Sequence, residues 1–486
     1  MAPDRFQEQF DQIQAAVGEK TVLAAGPEGS PSFLYEKGYV LARRDETHEV
    51  TRAIREAFRR DRGSDQDVEP EELDGPGGLL KIRVGKPDKR ARWSDRDVSD
   101  ALRAVKQLER ANRRRMVSRN HIVSIAAVNC CPGDEPVPVA RCQPPNPAVA
   151  EQVAGSGGET RATPVSVLVV DTGLVENHRS HPWLSRVKGK GKEIELDGEG
   201  ILKQYVGHGT FIAGLVSAVA PGADVTVHGT LVDAGAIPEK ELGDLLLGGM
   251  LPEGRWPDII NLSAGTPTTD AEPLLGLERF MRKLVIDHPE TLLVAAAGNN
   301  GSDERFYPAA YADDPDYADA VVSVGALRKD GRSRACFSNH GPWVKVYAPG
   351  ERLVSAFTAV DDTPVPYDYQ HSTYDHCRFG FSYDCTCQFP PHRGELTERM
   401  AASPAAIRER VVFDGLAQWS GTSFATPLVV GMIVNHMARN NVTGSRRAAA
   451  ELLAGPLSRG GAPDPVAPSL IPSTWTPSSV QNVPVV

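Results

Sequence analysis

Four residues in this 486-residue chain carry the side chains that acyl transfer requires: Asp171, His208, Asn299 and Ser423. A serine hydroxyl is a weak nucleophile until a base removes its proton. An imidazole suits that task near neutral pH. A carboxylate holds the imidazole in the productive tautomer and balances its charge, and an amide N–H can donate to the oxyanion that develops. Each residue taken singly has a plainer reading. Ser423, in Gly421-Thr422-Ser423-Phe424-Ala425-Thr426-Pro427, stands at a helix start that the hydroxyl of either Thr422 or Ser423 could cap. Asp171 suits the cap of a turn, His208 in Gly207-His208-Gly209-Thr210 suits a packed core, and Asn299 after Gly298 suits a turn.

The elements expected around them change that balance. Val165 to Val170 is an unbroken apolar, β-branched run, the pattern of a strand buried on both faces of a parallel sheet. Similar runs span 224–232, 258–262, 291–297 and 320–327, with helical patterns at 208–219, 239–250 and 272–287 between them. Such alternation predicts an α/β fold: a doubly wound, mainly parallel sheet with helices on both faces. Ligands collect at the carboxyl ends of strands in such sheets. Asp171 and Asn299 fall just past strands, and His208 and Ser423 at helix starts, so all four are expected at one crevice. Ser263-Ala264-Gly265, past the strand at 258–262, forms a further crevice wall.

The motifs Val169-Val170-Asp171-Thr172-Gly173, Gly207-His208-Gly209-Thr210, Ala297-Gly298-Asn299 and Gly421-Thr422-Ser423-Phe424-Ala425-Thr426-Pro427 together resemble those of the subtilisin-like serine proteases, in the subtilisin order of Asp, His, Ser. Softer matches are Tyr307-Pro308-Ala309, Phe337-Ser338-Asn339 and Tyr347-Ala348-Pro349-Gly350. The resemblance implies a serine endopeptidase with an acyl-enzyme intermediate. Asp171 would orient His208, His208 would act as base and then acid, Ser423 would attack, and Asn299 would share the oxyanion hole with the Ser423 backbone N–H. It also implies that Ser263, Ala264 and Gly265, with Ala296, Ala297 and Gly298, form the two backbone walls of the primary specificity pocket. Catalysis of this kind requires no cofactor. Subtilases often bind structural calcium, but no ligand set matches here. The expected partner is a protein or peptide substrate. The alternative is a protease-derived regulatory or binding protein whose latent triad an activating protein partner releases.

The rest of the chain divides as follows. Residues 1–128 read as a small N-terminal α/β domain, propeptide-like or regulatory, with strands at 33–42, 79–84 and 121–128 and helices at 46–60 and 98–112. Residues 129–163 read as a linker, 164–455 as the peptidase domain, and 456–486, with seven prolines, as a tail. An insertion at about 355–414 carries His371, His376, Cys377, Cys385, Cys387 and His392. Its Cys-x7-Cys-x-Cys spacing is not a recognised zinc pattern, so structural zinc, a disulfide and no special chemistry all stay open there.

The net charge is −10, yet residues 81–119 hold 14 Lys/Arg against 5 Asp/Glu. A solvated helix face and docking onto an acidic neighbouring domain both account for that stretch. No nucleic-acid-binding motif accompanies it. No apolar run reaches the length of a membrane span. The start lacks a secretory signal and the seven cysteines are irregularly spaced, which points to a cytoplasmic protein, or to a secreted one if the start is misplaced.

Overall fold

The computed structural model describes residues 13–14, 22–25, 33–71, 75–85, 95–125, 135–139, 143–151, 164–189, 191–192, 195–231, 234–248, 255–268, 271–360, 364–368, 410–455 and 468–477. Within them, the chain forms a unit of antiparallel strands followed by a larger unit built on parallel ones.

The first unit comprises strands β1 (Val22–Ala25), β2 (Phe33–Arg43), β3 (Val68–Glu71), β4 (Leu79–Val84) and β5 (Val117–Ser124), with helices α1 (Thr47–Arg62) and α2 (Arg96–Asn112). Helix α2 starts where Asp95 accepts from the N–H groups of Asp97 and Val98, and α1 ends at Gly63 in the left-handed region. Val50, Ile54 and Phe58 of α1 and Val98, Ala101 and Val105 of α2 pack on Tyr35, Val40, Ile82 and Val84, which covers one face of the sheet. β3 lies in the expected 61–78 loop, and the last strand runs four residues earlier than predicted. The expected end of that strand, 126–128, lies outside the described residues.

In the second unit, β6 (Ser166–Asp171), β7 (Lys188–Gly189), β8 (Asp224–Gly229), β10 (Ile259–Leu262), β11 (Leu292–Ala296), β12 (Val321–Leu327) and β13 (Val346–Pro349) form a parallel sheet. Its order is β13-β12-β11-β10-β6-β8-β7. Chain order reverses direction at β6, and that switch point is where an α/β sheet opens its crevice. Helix α3 (His208–Val219) is buried along its whole length, and α6 (Thr422–Asn440) along most of its own. A helix apolar on every side belongs inside a core. Helix α4 (Glu239–Leu247) is mostly buried and meets the first unit at its start, whereas α5 (Glu278–Ile286) and α7 (Ser445–Ala454) bury only part of their surface. The predicted helix over 272–287 is shorter: a 3-10 turn at Leu275–Leu277 precedes α5.

β9 (Ala236–Pro238) belongs to the second unit in sequence but pairs antiparallel with β5, so one strand of the first unit joins both. β14 (Leu353–Ala356) and β15 (Leu416–Trp419) pair antiparallel at the base of the insertion, with Val365–Asp368 on Arg410–Phe413 above them. The Cys/His cluster at 371–392 lies outside the described residues. Two parts of the expected linker are packed: Val137–Pro138 pairs with β15, and Asn146 exchanges backbone bonds with Val354. Part of the proline-rich tail is packed as well. Leu470 N–H donates to the Tyr347 carbonyl, and Trp475 is buried against Gly331. These segments hold because their backbone groups complete sheet edges, which proline content does not reveal.

Candidate active site

Asp171 ends β6 and is wholly buried. Its carbonyl accepts the N–H groups of Thr230 (2.7 Å) and Leu231 (3.0 Å), which fixes the strand end. Its Oδ1 accepts from Thr172 N–H at 2.8 Å and lies 2.8 Å from His208 Nδ1. Asp171 Oδ2 is buried without a hydrogen-bond partner among the described residues. His208 opens α3, and Gly209 allows that helix start to approach β6. A Cβ at 209 would come within 2.4 Å of the Gly173 carbonyl oxygen. Gly209 N–H donates to the Thr172 hydroxyl at 3.1 Å, tying the two segments together.

The imidazole is 1% exposed and boxed by aromatic rings, with centroids at 6.4 Å for Tyr205, 5.3 Å for Trp419 and 5.1 Å for Phe424. Excluding water strengthens the Asp171–His208 attraction relative to an exposed pair. Phe424 is the residue after Ser423, so its contact with the imidazole ties the start of α6 to the start of α3. The Ser423 hydroxyl donates to the Ser263 carbonyl at 3.2 Å, while the Ser263 hydroxyl donates back to the Ser423 carbonyl at 2.9 Å. No hydrogen bond joins Ser423 to His208 here. Rotation about χ1 carries a serine oxygen between staggered wells, and catalytic hydrogen bonds are often unformed in the resting state.

Asn299 lies beyond β11. Its Oδ1 accepts from the Thr422 N–H and the Thr422 hydroxyl, both at 2.9 Å, and the Thr422 oxygen accepts Gly298 N–H at 3.1 Å. Holding the carbonyl side of the amide fixes the direction of its NH2 group. Asn339 braces the same turn, with Nδ2 donating to the Ala297 carbonyl at 2.8 Å and Oδ1 accepting Asn300 N–H at 2.9 Å. Gly298 adopts φ +95°, a conformation that favours glycine. Ser263, Ala264, Ala296 and Ala297 are all buried. The segments 263–265 and 296–298 follow the adjacent strands β10 and β11, so all ten residues singled out from the sequence gather at one end of the sheet.

Sequence reasoning assigned no role to Thr172, Tyr205 or Trp419, and gave Thr422 only that of a candidate helix cap, a place that Gly421 takes without a side-chain bond. A hydroxyl residue beside each candidate reacting side chain, in Asp171-Thr172 and Thr422-Ser423, was a readable signal for Thr172 and Thr422. The aromatic partners converge from distant segments and leave no such trace.

The cleft already holds a strand. Ser124 exchanges backbone bonds with Gly265 at 3.1 and 2.9 Å, and Ile125 N–H donates to the Gly235 carbonyl at 2.9 Å. Val123 and Ile125 are buried in the core cluster of the second unit, and a Cβ on Gly235 would meet Ile125 and Tyr205 together. Beside this strand runs a polar seam. Glu239 Oε1 lies 3.0 Å from His121 Nδ1 and accepts its N–H, while Glu239 Oε2 accepts Gly276 N–H at 3.1 Å. Lys240 N–H donates to Asn120 Oδ1 at 3.2 Å. Farther out, Arg43 clamps Glu278 in a bidentate pair at 2.8 and 2.9 Å, and Arg115 pairs with Glu272 at 2.8 Å. Of the basic stretch, Arg115 thus docks on an acidic neighbour. Lys81 is tied to Glu36, and Arg103 to Asp100, inside the first unit.

Among the described residues, no group of three or more His, Cys, Asp or Glu is placed to hold a metal ion, and no helix is long and apolar enough to cross a membrane.

The subtilase family model matches residues 162–453. The chain is 34% identical over 227 residues to an intracellular serine protease of Paenibacillus polymyxa, covering 43% of this chain and 61% of that protein. It is 29% identical over 214 residues to the major intracellular serine protease of Bacillus subtilis (strain 168), covering 39% and 59%. The match to the thermophilic serine proteinase of Bacillus sp. (strain AK1) is 30% over 216 residues, covering 42% and 47%. The chain thus spans about half to three-fifths of the length of the curated relatives it matches. Among solved structures, fervidolysin from Fervidobacterium pennivorans aligns with TM-score 0.48 and 17% identity over 88% of this chain and 58% of its own.

Proposed function

The chain belongs to the subtilase family, and from that premise we propose that it is a serine endopeptidase whose cleft is closed by its own N-terminal unit. The observation that carries the catalytic half is the buried 2.8 Å contact between Asp171 and His208, with Phe424, the residue after Ser423, packed against that imidazole. A backbone N–H of the bound substrate donates to the Ser263 carbonyl and so releases the Ser423 hydroxyl, whose proton His208 takes as Ser423 attacks the scissile carbonyl. Asp171 stabilises the imidazolium, and Asn299 with the Ser423 N–H receives the oxyanion. His208 then protonates the leaving amine, and water resolves the acyl-enzyme. An extended peptide in this cleft pairs with the wall at 263–265 by strand addition, as Ser124 does.

That pairing also supports the second half of the reading, a tethered inhibitor. The seam is polar, as expected for surfaces that separate. An intracellular setting fits the names of the relatives from Paenibacillus polymyxa and Bacillus subtilis. A serine-directed fluorophosphonate tests the proposal on the full chain and on Ile125→Pro, which deletes the N–H bonded to Gly235. Labelling that rises in Ile125→Pro and vanishes when Ser423→Ala is added is expected. Labelling that survives Ser423→Ala overturns the catalytic assignment, and equal labelling of both cleft forms overturns the tethered inhibitor.

A further inference from the structure

Phe306 touches both walls of the specificity pocket. A Cβ added to Gly265 would lie 2.3 Å from Phe306 Cε1, and one added to Gly298 would lie 3.0 Å from Phe306 Cγ. Real Cβ atoms do not come as close as 2.3 Å, so glycine at 265 leaves room that the aromatic ring fills, and at 298 the ring lies at the tight end of ordinary contact, with Asn339 Nδ2 closer still at 2.6 Å. The ring is wedged, not swinging. Phe306 is 3% exposed, belongs to the main core cluster, and lies in the short strand Phe306–Tyr307 paired with Thr266–Pro267. That strand follows directly from the 263–265 wall, so the ring's position is set by the wall itself.

We infer that Phe306 is a specificity-determining residue that occupies the depth of the primary pocket, and that the enzyme cleaves after small residues: alanine, glycine or serine. This rests on the peptidase reading above. The pocket lies between two backbone segments whose own side chains (Ser263, Ala264, Ala296 and Ala297) are small, which by itself would leave space for a large substrate side chain. The benzyl group takes that space. A substrate leucine or phenylalanine would have to displace a buried ring held by core contacts, and packed interiors resist such insertion. An alanine methyl needs no displacement of the ring.

The test uses the full chain carrying Ile125→Pro, fluorophosphonate labelling to count competent enzyme, and a peptide series differing only in the residue before the scissile bond. Alanine is expected to exceed phenylalanine and leucine by at least about 100-fold in kcat/KM, within the roughly 10- to 200-fold that a misfit of even one methylene can produce. Phe306→Gly, with Phe306→Ala as the milder change, is expected to raise the phenylalanine-to-alanine ratio by at least about tenfold. Labelled enzyme that cleaves after phenylalanine or leucine as well as after alanine overturns the pocket assignment and leaves the peptidase reading standing. A labelled Phe306 variant with the original ratio does the same. Absence of both labelling and cleavage overturns the two together.

Discussion

The two sheets of this molecule are finished in different ways. The parallel sheet is covered on both faces by its own helices, and α3 and α6 are apolar on nearly every side. The antiparallel sheet is covered on one face by α1 and α2. Its remaining surface meets the catalytic unit through small apolar clusters, such as Leu41 and Leu79 on Leu275, and through the seam of Glu36, Lys81, Asn120, His121, Glu239 and Lys240. Most buried polar groups in both arrangements have partners; Asp171 Oδ2, Asn261 Oδ1 and the seam's His121 Nε2 are exceptions among the described residues. The first is closed by helices packed into an apolar core. The second consists of groups that water could satisfy nearly as well, so the net cost of parting them is modest. A unit attached in this way can occupy a cleft and still leave it.

The contrast makes separable predictions, since changes in the parallel unit should alter chemistry and changes at the seam should alter access. Asn299→Ala is expected to give the largest effect, a loss of about 100- to 1,000-fold in kcat with little change in KM. Stopped-time peptide assays normalised to labelled enzyme measure it. An unchanged kcat would remove Asn299 from the oxyanion site. Next, Ile125→Pro should raise turnover of added peptide by about tenfold or more, because a 1.4 kcal/mol weakening of docking shifts the open fraction tenfold. No increase would mean that the strand does not limit access. Thr422→Val keeps the shape but deletes the hydroxyl that binds Asn299 Oδ1 and Gly298 N–H. A loss of about fivefold in kcat matches one hydrogen bond of about 1 kcal/mol, with fluorophosphonate labelling still complete at long times.

The smallest effect concerns acid stability. Burial pushes the His181 pKa below its ordinary value of 6.5, the Thr358 carbonyl opposes that shift, and the nearby His178 adds to it. The unfolded chain therefore takes up this proton before the folded one does. Stability from His181 is present above about pH 6.5 and is lost as pH falls through its lowered value. At the seam, Glu241 runs the other way. Burial raises its carboxyl, so its contribution is greatest in acid and declines as pH rises through the raised value. His181→Gln should reduce the drop in melting temperature between pH 7 and 5.5, by a shift on the order of a degree. An identical pH slope in this variant would refute the assignment.

Much of the catalytic unit was legible because its signals are local. The buried strands announced themselves as continuous β-branched runs, and the helix of His208 ended where predicted, at Val219. The N-terminal strand at Leu79–Val84 also matched in its bounds. β3 was hidden by its composition, Val-Glu-Pro-Glu, which reads as a loop and forms a strand only because β4 offers it an edge. The packed parts of the linker and tail were missed for the same reason.

By itself the sequence determined the reacting residue types, their order and the layered sheet that gathers them, because side-chain chemistry and hydrophobic period are written residue by residue. Only the tertiary structure decided that Ser124 pairs with Gly265 and Ile125 with Gly235, that Thr422 holds the Asn299 amide, and that Phe306 packs against both Gly265 and Gly298. Those are contacts between segments far apart in the chain. Their energy depends on which surfaces meet, and no local pattern encodes the meeting.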